Sequence, residues 1–295
     1  MVEYTAKTPS RKSLVHHGRY FHRSAIGTLG FCTSWAVDET GTGPEWIEVS
    51  QVELHIPNIS RQLNGLRIAH ISDLHCSSTT SGAYLRRCID RINTLEVDIV
   101  ALTGDYITYD FNGRYREKVV DLLGEIETSL GIFACLGNHD YGVRRTPARK
   151  RAQMLRRMTR GMEAGGVNVL KNEADVVDID GHKLWFVGLG DLWVDDFRPE
   201  KAFADVPTDE SAIALVHNPR GVEHLGEFHA AAVMSGHTHG RKTTISPLGK
   251  KSQHRPYHSG MYEVDGKKLY VNRGLGRVGR ARLNARPEIT IFTLC

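Results

Sequence analysis

Five short clusters of histidine, carboxylate and amide side chains follow one another along the chain. They are Asp73-Leu74-His75, Gly104-Asp105, Gly137-Asn138-His139-Asp140, His217-Asn218 and Gly236-His237-Thr238-His239. Mixed carboxylate, amide and imidazole donors suit manganese, iron or zinc better than calcium or magnesium. A carboxylate has two oxygens, so one Asp can serve two ions. Two ions side by side activate a water and neutralise phosphoryl oxygens, which is the chemistry of in-line attack on phosphorus. Each cluster alone carries little. An Asp after a strand is usually a turn or cap residue, and a lone His-x-His is often a surface pair. Their order, and their place along the chain, set them apart.

Most of the clusters end an apolar run. Leu66–Ile71 leads to Asp73, Val97–Leu102 to Asp105, Ile132–Leu136 to Asn138, Ala212–Val216 to His217 and Ala230–Met234 to His237. Several of these runs are near-continuously apolar, as in strands buried on both faces. Strand ends of open α/β sheets are where sites are built. Gly104, before the second Asp, lets the backbone come close to a bound metal. The alternation from Trp46 to Ile56 has the period of a half-buried strand. Leu184–Leu189, Leu269–Val271 and Ile289–Phe292 are further strands. Helices are expected at Ala83–Leu95, Tyr115–Ser129 and Pro147–Ala164. Strand and helix alternate without a linker, which predicts one α/β catalytic domain over 46–295, preceded by an N-terminal extension over 1–45.

Composition narrows the class. The hydrophobic share of 40% and charged share of 24% are those of a soluble globular chain. A formal charge of +4 does not by itself call for nucleic acid. Five of the 15 histidines lie in the clusters. The five cysteines (Cys32, Cys76, Cys88, Cys135, Cys295) show no paired spacing, which argues against a disulfide framework or zinc knuckle and for a reducing compartment. Arg11, Lys12, Arg19 and Arg23 precede a mildly apolar run from Ala25 to Val37. That outline is a degraded export signal or anchor, or a plain extension. The run is too short to span a membrane, which takes about 20 apolar residues. A cytoplasmic or membrane-peripheral location is expected, with export the alternative.

The set DxH, GD, GNHD, single His and GHxH resembles the calcineurin-like metallophosphoesterases, from Leu66 to the end of the chain. "LVHNPR" at 215–220, "YVNRGLG" at 270–276 and "RPEITIFTL" at 286–294 resemble the bacterial YaeI/YkuE-type phosphodiesterase branch. The resemblance implies a four-layer α/β/β/α sandwich with the site at strand ends. It implies two divalent ions, manganese, iron or zinc. One would take Asp73, His75, Asp105 and His239, the other Asp105, Asn138, His217 and His237, so Asp105 bridges. It implies hydrolysis of a phosphodiester by a metal-bridging hydroxide, with His139 as general acid or charged stabiliser near the leaving group. A phosphomonoesterase, or a non-catalytic scaffold of the same fold, are the alternatives. Scaffolds tend to lose ligands, and none is lost here.

Two departures matter. Many members carry GDxxD, whose second Asp orients the GNH histidine. Here Thr108 stands at that place, so His139 loses a charged partner and its tautomer is less fixed; either His139 is a weaker acid catalyst or Asp110 reaches in. The branch's GHTHGGQ is replaced by Gly240-Arg241-Lys242, two cations that either favour a more anionic substrate or are solvated surface charge. After the GNHD loop, residues 144–160 hold Arg144, Arg145, Arg149, Lys150, Arg151, Arg156, Arg157 and Arg160 and no acid. Thr146-Pro147 reads as a cap followed by proline at the first helical position. This basic amphipathic helix could dock on anionic lipid head groups or a phosphorylated polymer, or be an ordinary surface helix with its apolar stripe in the core. Without an aromatic platform it does not point to nucleic acid. The substrate is expected to be a phosphoester, with a lipid-linked or cell-envelope diester in view.

Overall fold

The computed structural model describes residues 46–142, 146–241, 243–244, 253–276 and 285–295. The N-terminal extension and its basic-apolar segment lie outside the described residues. Strand β1 (Glu48–Leu54) is followed by β2 (Arg67–Ile71), helix α1 (Gly82–Asn93), β3 (Ile99–Thr103), α2 (Arg114–Leu123), β4 (Gly131–Cys135), α3 (Ala148–Ala164) and β5 (Val167–Val169). Then come β6 (Glu173–Ile179), β7 (His182–Gly188), the one-turn helix α4 (Pro199–Ala202), β8 (Ala212–Leu215), β9 (Ala230–Ser235) and the two-residue strands β10 (Thr243–Thr244) and β11 (Gln253–His254). Strands β12 (Gly260–Val264), β13 (Lys267–Val271) and β14 (Glu288–Leu294) complete the chain.

Two six-stranded mixed sheets result, ordered β1-β14-β2-β3-β4-β5 and β12-β13-β9-β8-β7-β6. In the first, β2, β3, β4 and β5 run parallel, which requires long crossovers; α1, α2 and α3 supply them. Helix α1 shows why these segments fold as they do. The Ser81 hydroxyl caps it by accepting the Tyr84 N–H at 3.2 Å. Its Tyr84, Leu85, Cys88, Ile89 and Ile92 then recur at helical spacing and are buried. They pack with Val100, Leu102 and Ala134 on the outer face of the first sheet.

Strand alternation sends the other side chains inward. Ile68, Ile99, Ala101 and Phe133 meet Leu184, Phe186, Ile213 and Leu215 of the second sheet. Phe133 stacks on Phe186 with centroids 4.3 Å apart and rings 6° from parallel. The second sheet's outer face, with Val187, Ala214, Val233 and Val271, is covered by α4, the 3-10 helix Pro219–His224 and the Phe203–Phe228 pair. The order helix, sheet, sheet, helix is as expected, with a thin fourth layer.

Three local differences have physical causes. Helix α2 ends at Leu123, not near Ser129, because Asn93 captures the following chain. Its amide donates to the Glu125 carbonyl at 2.8 Å and accepts the Glu127 N–H at 3.0 Å. Pro147 is the cap residue of α3, not its first helical residue, with φ −52° and ψ 138°. Strands β5, β6 and β12 were not expected. All three are edge strands, largely half exposed, so hydrophobic pattern marks them poorly. No described helix is long and apolar enough to cross a membrane.

Candidate metal centre

The parallel strands β2, β3 and β4 end on the same side, as do β8 and β9, and the clusters sit on the turns beyond them. Those turns are unusual. Asp73, His75, Asp105, His237 and His239 have φ of +51, +48, +55, +70 and +55°. Left-handed backbone at a non-glycine residue costs about 1–3 kcal/mol and persists only where the surroundings over-determine it. Here backbone bonds tie one turn to the next. The N–H groups of Asp73 and His75 donate to the carbonyls of Gly104 and Asp105, both at 2.9 Å, and the Gly276 N–H to that of Asp73 at 2.7 Å. Gly104, at φ +84°, allows close approach to the Gly137 backbone rather than to the donors themselves. A Cβ at Gly236 would run into the Ser72 hydroxyl and the Asp73 carboxylate.

Each key carboxylate has one oxygen pinned and one turned to imidazoles. Asp73 Oδ2 accepts the His237 N–H at 2.8 Å and the Ser72 hydroxyl at 2.7 Å. Its Oδ1 lies 3.5 Å from His75 Nε2 and 3.3 Å from His239 Nε2. Asp105 Oδ1 accepts the His139 N–H at 2.8 Å. Its Oδ2 lies 3.5 Å from His75 Nε2 and 3.2 Å from His217 Nε2. Donor atoms of Asp73, His75 and His239 form one group and those of Asp105, His217 and His237 another, each within 4.8 Å. Asp105 Oδ2 touches histidines of both.

The residues fit two cations. Imidazole nitrogens face each other at 3.1 Å (His75 Nε2 and His239 Nε2) and 3.2 Å (His217 Nε2 and His237 Nδ1). Asp73 Oδ1 and Asn138 Oδ1 are buried and accept no hydrogen bond among the described residues. A buried acceptor left so costs about 1–3 kcal/mol, which a cation would offset. The charge balance points the same way. Burial pushes the Asp105 carboxyl up, but the imidazoles of His217 and His139 outweigh it and hold it below the usual range. Burial favours neutral His217, yet Asp105 beside it holds its proton affinity well above the ordinary value. Burial, and then His217, push His237 down to about 3.

Two carbonyls fix tautomers. The His217 Nδ1–H meets the Thr103 carbonyl at 2.6 Å, and the His139 Nδ1–H meets that of Thr108 at 2.7 Å. In its neutral form each ring so held carries no hydrogen on Nε2. So His139 is oriented at Thr108 after all, by backbone rather than side chain, and its tautomer is fixed. The Thr108 hydroxyl donates elsewhere, to the His75 carbonyl at 3.2 Å. Asp110 does not reach His139. Its carboxylate accepts the N–H groups of Gly113 at 2.8 Å and Arg116 at 2.9 Å.

The structure brings seven of the eight sequence-predicted residues to this one place, Asn138 stands beside His139 with its Oδ1 buried, and other residues join them. Asp140 accepts the N–H groups of Asp105 (2.8 Å), Tyr106 (2.9 Å) and Gly137 (2.8 Å), binding the β3 turn to the β4 turn. Its place in the GNHD string was the available signal. Arg255 donates to the Thr238 carbonyl at 3.2 Å and lies in the field of Asp73, a cation at the rim. Trp193 is 58% exposed, yet its ring meets His237 edge-on at 4.3 Å. Asp191 fixes that turn by accepting the Trp193 and Val194 N–H groups at 2.8 and 3.2 Å. Nothing in the local sequence marks Trp193 or Arg255, because their approach to the centre is purely tertiary. Arg241 is exposed, and Lys242 lies outside the described residues.

Helix α3 buries Met158 and Met162 and exposes Arg149, Lys150, Arg156, Arg157 and Arg160. Arg157 pairs with Glu117 at 2.8 Å on the surface. Arg144 and Arg145 lie outside the described residues.

Comparison with known proteins agrees with this geometry. The chain is 28% identical to the UDP-2,3-diacylglucosamine pyrophosphatase LpxG of Chlamydia muridarum, over 84% of this chain and 89% of that protein. It is 29% identical to the uncharacterized metallophosphoesterase YkuE of Bacillus subtilis, over 85% and 86%. It is 28% identical to the phosphodiesterase YaeI of Escherichia coli, over 77% and 82%. The family description "calcineurin-like phosphoesterase" matches residues 66–241, a span that is more than half of the chain and contains all five clusters. With those clusters drawn together at the strand ends, the chain belongs to the calcineurin-like phosphoesterases, hydrolases built around a dinuclear divalent metal centre.

Proposed function

We propose that the chain is a phosphodiesterase whose two ions are held by Asp73, His75, Asp105, Asn138, His217, His237 and His239, with Asp105 shared. The Asp105 carboxylate carries the reading, with one oxygen pinned by the His139 N–H and the other within 3.5 Å of imidazoles of both groups. The donor set suits manganese, iron or zinc. When bound, such ions activate water and neutralise phosphoryl charge.

The chain's own residues do the positioning. Asp140 holds the Asp105 turn, and Ser72 with the His237 N–H holds Asp73. The Thr103 and Thr108 carbonyls set the rings of His217 and His139. His139 serves at the leaving group, and Arg255 adds positive charge for an anionic substrate. The full ligand set argues against a scaffold.

A lipid-linked diester or diphosphate is the favoured substrate. Three observations support it. One relative is named for a diacylated sugar diphosphate. Exposed Trp193 and Val194 stand at the rim beside His237, and α3 presents a basic face. That face would hold the protein against anionic lipid. Metal-stripped protein given bis-p-nitrophenyl phosphate should regain activity with manganese, iron or zinc. It should turn over p-nitrophenyl phosphate more slowly, and Asp105→Ala should be inactive. Preference for the monoester would replace the diesterase reading with a monoesterase. Silence with every metal, despite two bound ions, would leave a scaffold. Arg156→Glu with Arg160→Glu should lose binding to anionic vesicles, and unchanged binding would remove the membrane part.

A further inference from the structure

We propose a third metal site, remote from the dinuclear centre, in which Glu53, His55 and Cys295 hold one borderline-soft divalent ion of the zinc type. Strand register creates it. β1 is an edge strand and runs parallel to β14, with Glu53 opposite Thr293 and Leu54 opposite Leu294. Leu54 and Leu294 both point into the core between the sheets, 2% and 1% exposed. Side chains alternate along a strand. Glu53, His55 and Cys295 therefore share the opposite face. The pairing continues one residue past the strands, where the Cys295 N–H donates to the Leu54 carbonyl at 3.3 Å.

The donors are already gathered. Cys295 Sγ lies 3.2 Å from His55 Nδ1 and 3.6 Å from Nε2. The Glu53 carboxylate joins them, with one donor atom from each residue within 4.8 Å of the others. Zinc bonds of about 2.0–2.3 Å at tetrahedral angles put neighbouring ligand atoms roughly 3.5 Å apart. Sulfur and nitrogen here stand at that spacing. Thiolate, imidazole and carboxylate are zinc's own donor types, and three protein ligands leave a fourth position open.

The other described cysteines are unlike Cys295. Cys76, Cys88 and Cys135 are buried, and burial pushes the first two thiols up to about 11 and about 12. Glu53 and His55 are exposed and Cys295 half exposed, so an ion can come and go. The group sits where β1 and β14 end. β14 is antiparallel to β2, so this is the opposite end of the sheet from Asp73.

Cobalt(II) distinguishes the two centres, because among the described residues only the new one offers a thiolate. Full-length, metal-stripped protein titrated with cobalt should develop a near-ultraviolet sulfur-to-metal charge-transfer band. Cys295→Ser should abolish the band and bind one zinc fewer per chain. His55→Ala should weaken cobalt binding at this site about tenfold or more. Asp105→Ala, which damages the dinuclear centre, should keep the band. Its absence from the unmutated protein, or its survival in Cys295→Ser, would overturn the proposal. Circular dichroism of the variants controls for folding.

Discussion

Glu288 is where the two sheets and the metal turns are tied together, and its removal tests that tie. It opens β14 and is 2% exposed. One oxygen accepts the Ser50 hydroxyl at 2.8 Å and the Tyr270 hydroxyl at 2.7 Å. The other accepts the Arg273 N–H at 3.0 Å and its Nε–H at 2.9 Å. Beyond Arg273 comes Gly274, at φ +75°, packed against Asp73. Removing one partner of a buried ion pair costs about 3–5 kcal/mol. Arg273 keeps Glu48, at 2.9 Å but partly exposed, so the lower end applies. We expect Glu288→Ala to cost about 3 kcal/mol. At about 2–4 °C per kcal/mol for a chain of this size, the melting point should fall about 6–12 °C. Urea unfolding followed by circular dichroism measures it, with an unchanged m-value as the control.

The pH dependence follows with a definite sign. Burial pushes the Glu288 carboxyl up, but the Arg273 and Tyr270 hydrogen bonds outweigh it, so its pKa lies below the ordinary 4.5. A depressed carboxyl stabilises above its unfolded pKa, and the contribution is lost as pH falls through the folded one. The gap between the unmutated protein and Glu288→Gln should be constant near neutrality and close below about pH 4.5. A Glu288→Ala variant within 0.5 kcal/mol of the parent, an ordinary surface effect of about that size, would refute the reasoning.

Three further outcomes are expected. Gly236→Ala should impair metal binding, read by calorimetry, because its methyl enters the space of Ser72 and Asp73; full affinity would show that the turn yields. Phe133→Ala should destabilise by about 3–5 kcal/mol through loss of the inter-sheet stack, and a loss under 1 kcal/mol in urea would mean that the sheets close over the gap. Thr108→Val should cost about 1 kcal/mol of stability through its hydroxyl bond to His75 and leave turnover within a few-fold. A loss as large as that of His139→Ala would mean that the side chain, not the carbonyl, orients His139.

Local pattern carried much of this molecule. Apolar runs such as Ile99–Thr103 are buried on both faces, and burial is what a hydrophobic pattern records, so the central strands and the clusters at their ends were legible. "YVNRGLG" and "RPEITIFTL" were visible as strings, but their purpose was not. Asn272 donates to the His70 carbonyl at 3.1 Å, and Arg273 pairs with Glu288 across the sheets. Such contacts join residues far apart in sequence, and no local window contains both partners.

The chain's own letters determined the order of the central strands and main helices, the eight candidate residues and the kind of chemistry their donors suit. Folding decided the rest. It forced five of those residues into left-handed backbone, set Asp105 between two histidine groups, and gave His139 a carbonyl where a carboxylate was missing. It also brought Trp193 to His237 and Cys295 to His55. Donor type is a property of single residues. Distance and register arise only when sheets pack, since each depends on the position of the whole strand beside it.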